Sequence, residues 1–342
     1  LKEIYADGTH DFFYVSLVDN KCVKAAQRLN QYNLAGFPTV FFDGGYRVKV
    51  GAGSTSQAKT AYMNRINQCN LRASEDIDVM VSVQWLGDAV LDVTMRIRNN
   101  EAETYGGTVR AYICERISSL NWKDSAGKKY EFPFLDYAII TPVSIPAIDV
   151  WEHSVVWDGK LKNSGHGHSY ANIQHDNIVV IVAVFNDEKH QGYANPPNGN
   201  PFNAYYVDNT GAAMPAALIP DTNNVPESGG VVNFDIFAGE LCPNRNYIVI
   251  GSTSGTSPGF TLPGGLELPV NWDWFSDLEM SLINTFIFSS FMGTLDADGL
   301  GTAQLNVPPL PAGSAGLKMQ YAFALGNPYD TVSGPTEITV VP

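Results

Sequence analysis

Basic residues are scarce: the 342-residue chain carries 21 Lys and Arg against 35 Asp and Glu, a formal net charge of −14 with a pI near 4.7. Neutralising a phosphate backbone needs clustered cations, and none cluster here, so nucleic acid is excluded as a partner. Four cysteines in so long a chain do not make a disulfide scaffold. No apolar run reaches bilayer-spanning length, so no transmembrane segment is expected, and no signal peptide stands at Leu1. Catalytic signatures are missing too: there is no Gly-x-Ser-x-Gly, no His-Glu-x-x-His and no phosphate-cradling glycine loop.

What the chain has in quantity is Gly, Pro, Asn, Ser, Thr and Tyr, a composition suited to turn-rich β-domains and common in exported proteins. The length allows two or three domains, each with its own core. Leu1-Lys2-Glu3-Ile4-Tyr5 reads as the last turns of an amphipathic helix, which gives the expectation of further residues upstream.

Residues 1–72 alternate in element type. Asp11 to Val18 reads as an apolar strand, Asp19-Asn20 as the cap of a helix over Lys21 to Tyr32, and Ser54 as the start of a closing helix to about Cys69. Between the helices, Ala35-Gly36-Phe37-Pro38-Thr39-Val40-Phe41-Phe42-Asp43-Gly44-Gly45 reads as a strand entered through a constrained X-Pro bond and left by a tight turn, with Tyr46 to Val50 as its partner. Residues 73–210 switch to strand alternation: Ile77, Val79, Val81 and Val83 share a face, and Ile178 to Phe185 is one buried run. Turn clusters at Asn99-Asn100, Tyr105-Gly106-Gly107, Ser125-Ala126-Gly127 and Asn195-Pro196-Pro197 punctuate them, so an immunoglobulin-like β-sandwich is expected. Residues 211–229 lack periodicity and read as a linker. Residues 230–342 form a C-terminal β-domain carrying one helix over Asp273 to Phe291. The expected fold class is therefore mainly β and multidomain, with one partial α/β unit.

The segment Gly36-Phe37-Pro38-Thr39, with the element order around it, resembles the cis-proline strand and second half of a thioredoxin-like fold. The Cys-x-x-Cys pair that such a fold uses for redox chemistry is not in this sequence; the resemblance implies it would fall just before Leu1. With Phe132 to Tyr137, Val184 to Tyr193 and Asn200 to Tyr206, the chain is similar to exported bacterial proteins related to Bacteroidetes outer-membrane lipoproteins with a thioredoxin-like start. Ser257 to Gly265 with Asn271-Trp272-Asp273-Trp274 resembles a C-terminal domain of exported planctomycete-type proteins. The resemblance implies an extracellular or cell-surface location.

Each candidate site has a plainer alternative. Phe37, Pro38 and Thr39 could touch a substrate disulfide, but without a thiolate the element reads as structural. Cys22 and Cys69 end two expected helices and are candidates for a disulfide, though opposite faces are equally open; Cys114 and Cys242 have no assigned partner. His166 and His168, two apart in an extended glycine-rich loop, could bind zinc or copper with His175, Asp176 or His190; the alternative is a loop that happens to carry histidines. Asp296-Ala297-Asp298-Gly299 opens like a calcium loop, but its twelfth position is Val307 and a hairpin turn explains it better. Asp136 and Asn186-Asp187-Glu188 remain oxygen-ligand candidates for calcium. Trp272, Trp274 and Phe275, or Tyr205 and Tyr206, could form a ligand platform, with core packing the commoner role.

A structural or adhesive surface component, possessing homo-oligomeric or other protein partners in an extracellular assembly, leads this reading. A half thioredoxin sheet would leave an unpaired strand edge and an uncovered apolar face for another chain. The alternatives are a thiol-disulfide oxidoreductase with its cysteines upstream, and a secreted metal- or ligand-binding module.

Overall fold

In the computed structural model, which describes residues 1–342, strands hold 44% of the residues and helices 14%, so the protein is mainly β with several separate sheets. The chain divides into two compact units. The first comprises residues 1–80, 94–173 and 177–212; the second comprises 81–93, 174–176 and 213–342.

The first unit opens with α1 (Lys2–Ala6), α2 (Val23–Gln31), β1 (Thr39–Phe42), β2 (Arg47–Val50) and α3 (Thr55–Asn70). Ser54 caps α3 in a capping box with Gln57, as its position before the apolar spacing suggests. The stretch Asp11 to Val18, expected as a strand, is extended but unpaired except for one bridge from Ser16 to Pro133. Its side chains take tertiary contacts instead, with Phe12 against the core of Ile4, Phe42, Tyr62, Ile66 and Cys69. Residues 1–80 fall in the same compact unit as residues 94–173 and 177–212, so the division nearest the expected boundary at residue 72 lies at residue 80, within a strand.

The strands that follow are β3 (Ile77–Trp85), β4 (Val90–Asn99), β5 (Tyr105–Glu115), β6 (Phe134–Ile145), β7 (Val150–Asp158), β8 (Ile178–Asn186), β9 (His190–Asn195), β10 (Gly199–Ala204) and β11 (Val207–Ala213). They form a four-stranded sheet in the order β11-β8-β5-β6, a three-stranded sheet β3-β4-β7 and a ribbon β9-β10. Along β5, Val109, Ala111 and Ile113 are fully buried, while Thr108 and Arg110 on the other face are part-exposed. The near-continuous burial of β8 matches its unbroken apolar run.

Residues 211–229, expected as a linker, instead end β11 and carry β12 (Ala217–Pro220) and β13 (Asn224–Pro226). The backbone groups of this Pro- and Ala-rich stretch are satisfied by neighbours: β12 pairs with β14 (Gly230–Phe237), and β13 runs parallel to the last strand. The second unit continues through β15 (Asn246–Ser252), β16 (Phe260–Thr261), β17 (Glu267–Leu268), α4 (Trp274–Leu282), β18 (Phe288–Ser289), β19 (Met292–Thr294), β20 (Leu300–Val307), β21 (Lys318–Leu325) and β22 (Thr336–Val341). Two sheets, β12-β14-β20-β18 and β13-β22-β21-β15-β19, share a core that includes Phe234, Phe291, Tyr321 and Phe323. The helix expected to reach Phe291 stops at Leu282, because Ile283 leaves the helical region and the chain turns into β18.

Candidate functional site

The β1 strand is the centre of the candidate site. Its entry bond, Phe37–Pro38, is cis, and the Thr39 hydroxyl donates to the Gly36 carbonyl at 2.7 Å. In antiparallel register Phe41 stands opposite Val48 and Thr39 opposite Val50. Alternation then sends neighbouring side chains to different cores. Val40 and Phe42 face the cluster with Ile4, Tyr62 and Ile66, while Phe41, Val48 and Val50 meet Tyr32, Ala194, Phe202 and Ala204. Phe41 stacks on Tyr32 with ring centroids 4.2 Å apart.

Both faces of the β1-β2 ribbon are therefore covered, and the uncovered apolar face expected of a half sheet does not exist. α1 and α3 cover one face, and β9 and β10 with Tyr32 cover the other. The edge remains, because β2 is the one strand that pairs with β1, and Phe37 just before it is 63% exposed.

A polar cluster fixes the end of α3. Arg72 donates to Asp208 at 3.1 Å and lies 3.7 Å from Asp43. Asp208, almost fully buried, also accepts from the Tyr105 hydroxyl at 3.1 Å and the Asn186 amide at 3.2 Å. Burial raises the Asp43 carboxyl, and the nearby Arg72 cation opposes that shift. The hub missed in the sequence is Asp208, whose partners are scattered over more than a hundred positions.

The cysteines are free thiols. Cys22 ends the approach to α2 and places its sulfur 3.3 Å from the Leu135 carbonyl and 3.9 Å from the Tyr170 hydroxyl. Cys69, in the last turn of α3, belongs to the core around Ile4 and Phe42. The candidate Cys22–Cys69 bridge is thus not made, since the two side chains enter different surroundings. Burial, reinforced by the Asp43 carboxylate, pushes the Cys69 thiol up to about 12, and burial raises Cys22 as well.

Three of the four candidate histidines make aromatic contacts. His168 meets Trp122 edge-on at 5.7 Å, and His190 lies flat on Tyr206 at 4.1 Å. His175 stands between Trp85 and Phe237, at 5.7 and 4.9 Å, and burial lowers its pKa. His166 is exposed, its backbone amide donating to Ser164 Oγ. No three His, Cys, Asp or Glu side chains gather in a metal-binding group, so the proposed quartet His166, His168, His175 and His190 is not assembled.

The calcium candidates divide. Asp136 is tied to Lys24 and to the Trp157 indole N–H, and Asp296 accepts from the backbone of Asp298 and Leu300 within its turn. Asp187 and Glu188 line an open cleft of about 260 Å³ with Glu75, Glu101 and Glu103. Trp272 and Trp274 are 40% and 66% exposed, the former against Phe260 and donating to Asp277, whereas Phe275 is core.

No family model matches the chain, and no curated protein does. Among solved structures, HBP35 of Porphyromonas gingivalis is 10% identical, over 95% of this chain and 82% of that one, with a TM-score of 0.39. Red sea bream transglutaminase is 9% identical over 87% of this chain, with a TM-score of 0.21, and the β-glucosidase DesR from Streptomyces venezuelae is 16% identical over 38%, with a TM-score of 0.21. The chain spans 36% of the transglutaminase and 15% of the β-glucosidase. Likenesses this slight carry no statement about activity. No helix is long and apolar enough to cross a membrane.

Proposed function

We propose that the chain is an exported structural or adhesive surface protein, a subunit of an extracellular assembly in which the edge of β1 accepts a strand from another chain. The observation that carries this reading is the single strand partner of β1, with the exposed Phe37 beside it. Unpaired N–H and C=O groups along a strand edge are a template for strand addition, and alternate side chains supply the specificity. Export is supported by the composition and by the resemblance of the proline strand and of residues 132–137, 184–193 and 200–206 to exported bacterial proteins.

Size-exclusion chromatography with light scattering, and electron microscopy of the native protein, test this reading. Oligomers or fibres that dissociate in the Phe37→Lys variant support it. A monomer at every concentration overturns it. Reduction of insulin by the native protein would instead favour the thiol-disulfide reading with a Cys-x-x-Cys upstream, and zinc or copper retained through purification would favour a metal-binding module.

A further inference from the structure

Helix α4 is apolar on both of its sides. Phe275, Ser276 and Glu279 are buried, and Leu282 packs against the same core, the spacing of an inward face. There Phe275 meets Phe288 and Tyr321, with ring centroids 6.0 and 6.2 Å apart. The outward side should be polar by the same logic. Instead Trp274 is 66% exposed and Leu278, one turn on, is 41% exposed, with Asp277 and Ser281 between and beyond them.

Trp272, just ahead of the helix, widens this face. Its indole N–H donates to Asp277 Oδ1 at 2.9 Å, its ring leans on Phe260 of β16 with centroids 4.9 Å apart, and it is itself exposed. Asp277 lies three residues from Trp274 on the helix, so the hydrogen bond holds one carboxylate between two indoles. An isolated exposed apolar side chain needs no explanation, but two indoles and a leucine gathered on one helical face mark an interaction surface.

The charge around this face has one sign. Residues 246–317, which carry α4 and the strands β15 to β20, contain six Asp and Glu and no Lys, Arg or His. Asp277 is exposed within the face, and Glu267 is exposed on β17, the strand paired with the one that bears Phe260. The cations that flank the stretch are committed elsewhere, Arg245 to Asp330 at 2.6 Å and Lys318 to Glu337 at 2.8 Å. A second copy would set the same acids against themselves, and like charges brought together across an interface are costly, so the face is not self-complementary.

We propose that the outer face of α4 docks a partner protein through a segment that presents arginine or lysine among apolar side chains. The cation lies over the Trp274 indole and pairs with Asp277, while its apolar neighbours cover Leu278 and Trp272. Indole is the strongest of the aromatic rings for a cation, and the adjacent carboxylate supplies the counter-charge. Asp273 and Asp277, at the cap and in the first turn, oppose the partial positive charge of the helix start. The contact makes no use of the β1 edge.

The test is fluorescence anisotropy of a dye-labelled synthetic helical peptide of Leu, Ala and Arg titrated with the full chain, compared with the same peptide carrying Glu in place of Arg. Saturable binding of the arginine peptide, weakened by added salt, is expected, with no binding of the glutamate peptide. In Trp274→Ala the Kd should rise about tenfold or more, and in Asp277→Asn about fivefold. Asp277→Asn changes little volume and keeps the test open should Trp274→Ala fail to fold. The Kd should stay unchanged in Val231→Thr, which alters an exposed apolar residue of β14, and in Phe37→Lys, so that failure of the strand-edge reading is distinguishable from failure here. No saturable binding of the arginine peptide, equal binding of the two peptides, or one Kd shared by wild type, Trp274→Ala and Asp277→Asn overturns the proposal. Self-association abolished by Trp274→Ala would make a second copy the occupant and overturn it as well.

Discussion

Gly44 leaves no room for a side chain beside Tyr205: a Cβ on Gly44 would lie 2.0 Å from the Tyr205 carbonyl oxygen. Its φ of +68° is also one that favours glycine. This contact ties the turn between β1 and β2 to the chain just after β10. Gly44→Ala should destabilise the protein by about 2–3 kcal/mol. Gly51 has a similar φ, +72°, but open space around it, so Gly51→Ala should cost only about 1 kcal/mol. Urea unfolding of both variants separates the steric contribution from the backbone contribution; equal losses would show that the approach to Tyr205 contributes nothing.

Asp208 is the acceptor on which three donors converge. Asp208→Ala takes from Arg72 its nearest carboxylate, leaving the longer contact to Asp43 and the carbonyls of Ala73 and Val207, and it strands the Tyr105 hydroxyl and the Asn186 amide. Breaking a buried pair from one side costs about 3–5 kcal/mol. Tyr105→Phe removes one donor and should cost about 1 kcal/mol. A loss below about 1 kcal/mol in Asp208→Ala, measured by denaturant titration, would contradict the hub.

The thiols should be silent in the folded state. Cys69 is pushed up to about 12, and burial raises Cys22, Cys114 and Cys242. At pH 8 a disulfide reagent such as Ellman's should find no rapidly reacting thiol among Cys22, Cys69 and Cys114 in the native protein. After unfolding without reductant it should find all four free cysteines. A count of two would restore a disulfide.

Glu279 gives the second unit a pH dependence of unusual sign. One carboxyl oxygen accepts from the Gly251 amide at 2.8 Å while the other has no partner, and burial raises the pKa well above the ordinary value. A carboxyl whose folded pKa is raised favours the fold when protonated. Its contribution is full below the unfolded pKa of 4.5 and is lost as pH rises toward the folded value. Asp273 opposes it: burial pushes its carboxyl up, but hydrogen bonds from Thr253 and Ser276 amides outweigh that and hold it down at about 2. The stability from Asp273 is present above 3.8 and lost as pH falls toward 2. Comparing Glu279→Gln with wild type cancels the Asp273 contribution. The variant should gain on wild type as pH rises from about 4 to 8; a pH-independent difference between their unfolding free energies would remove the buried acid from the account.

Local patterns were legible where local physics decides. Ser54 and Asp273 cap helices from positions the sequence marks, and the run Ile178 to Phe185 is the buried β8. Asp11 to Val18 misled because alternation in an apolar stretch records burial, not pairing, and its neighbours offer it one bridge. Residues 211–229 misled in the opposite direction: Pro215, Pro220 and Pro226 suit strand ends and edges, and short strands beside them need only a few paired groups. The candidate sites were less readable. Two histidines spaced by one glycine do suggest a shared ligand, but His168 turns to Trp122, and which ring a histidine meets is a long-range fact.

The ribbon of β1 and β2, covered on both faces and with no strand paired to the outer edge of β1, has a bearing on handling. A rim of peptide groups does not discriminate between one extended segment and another, so any copy held close by crowding can meet it. Dilution series should therefore accompany every measurement, because self-association through this rim would raise apparent stability with protein concentration and imitate ligand binding.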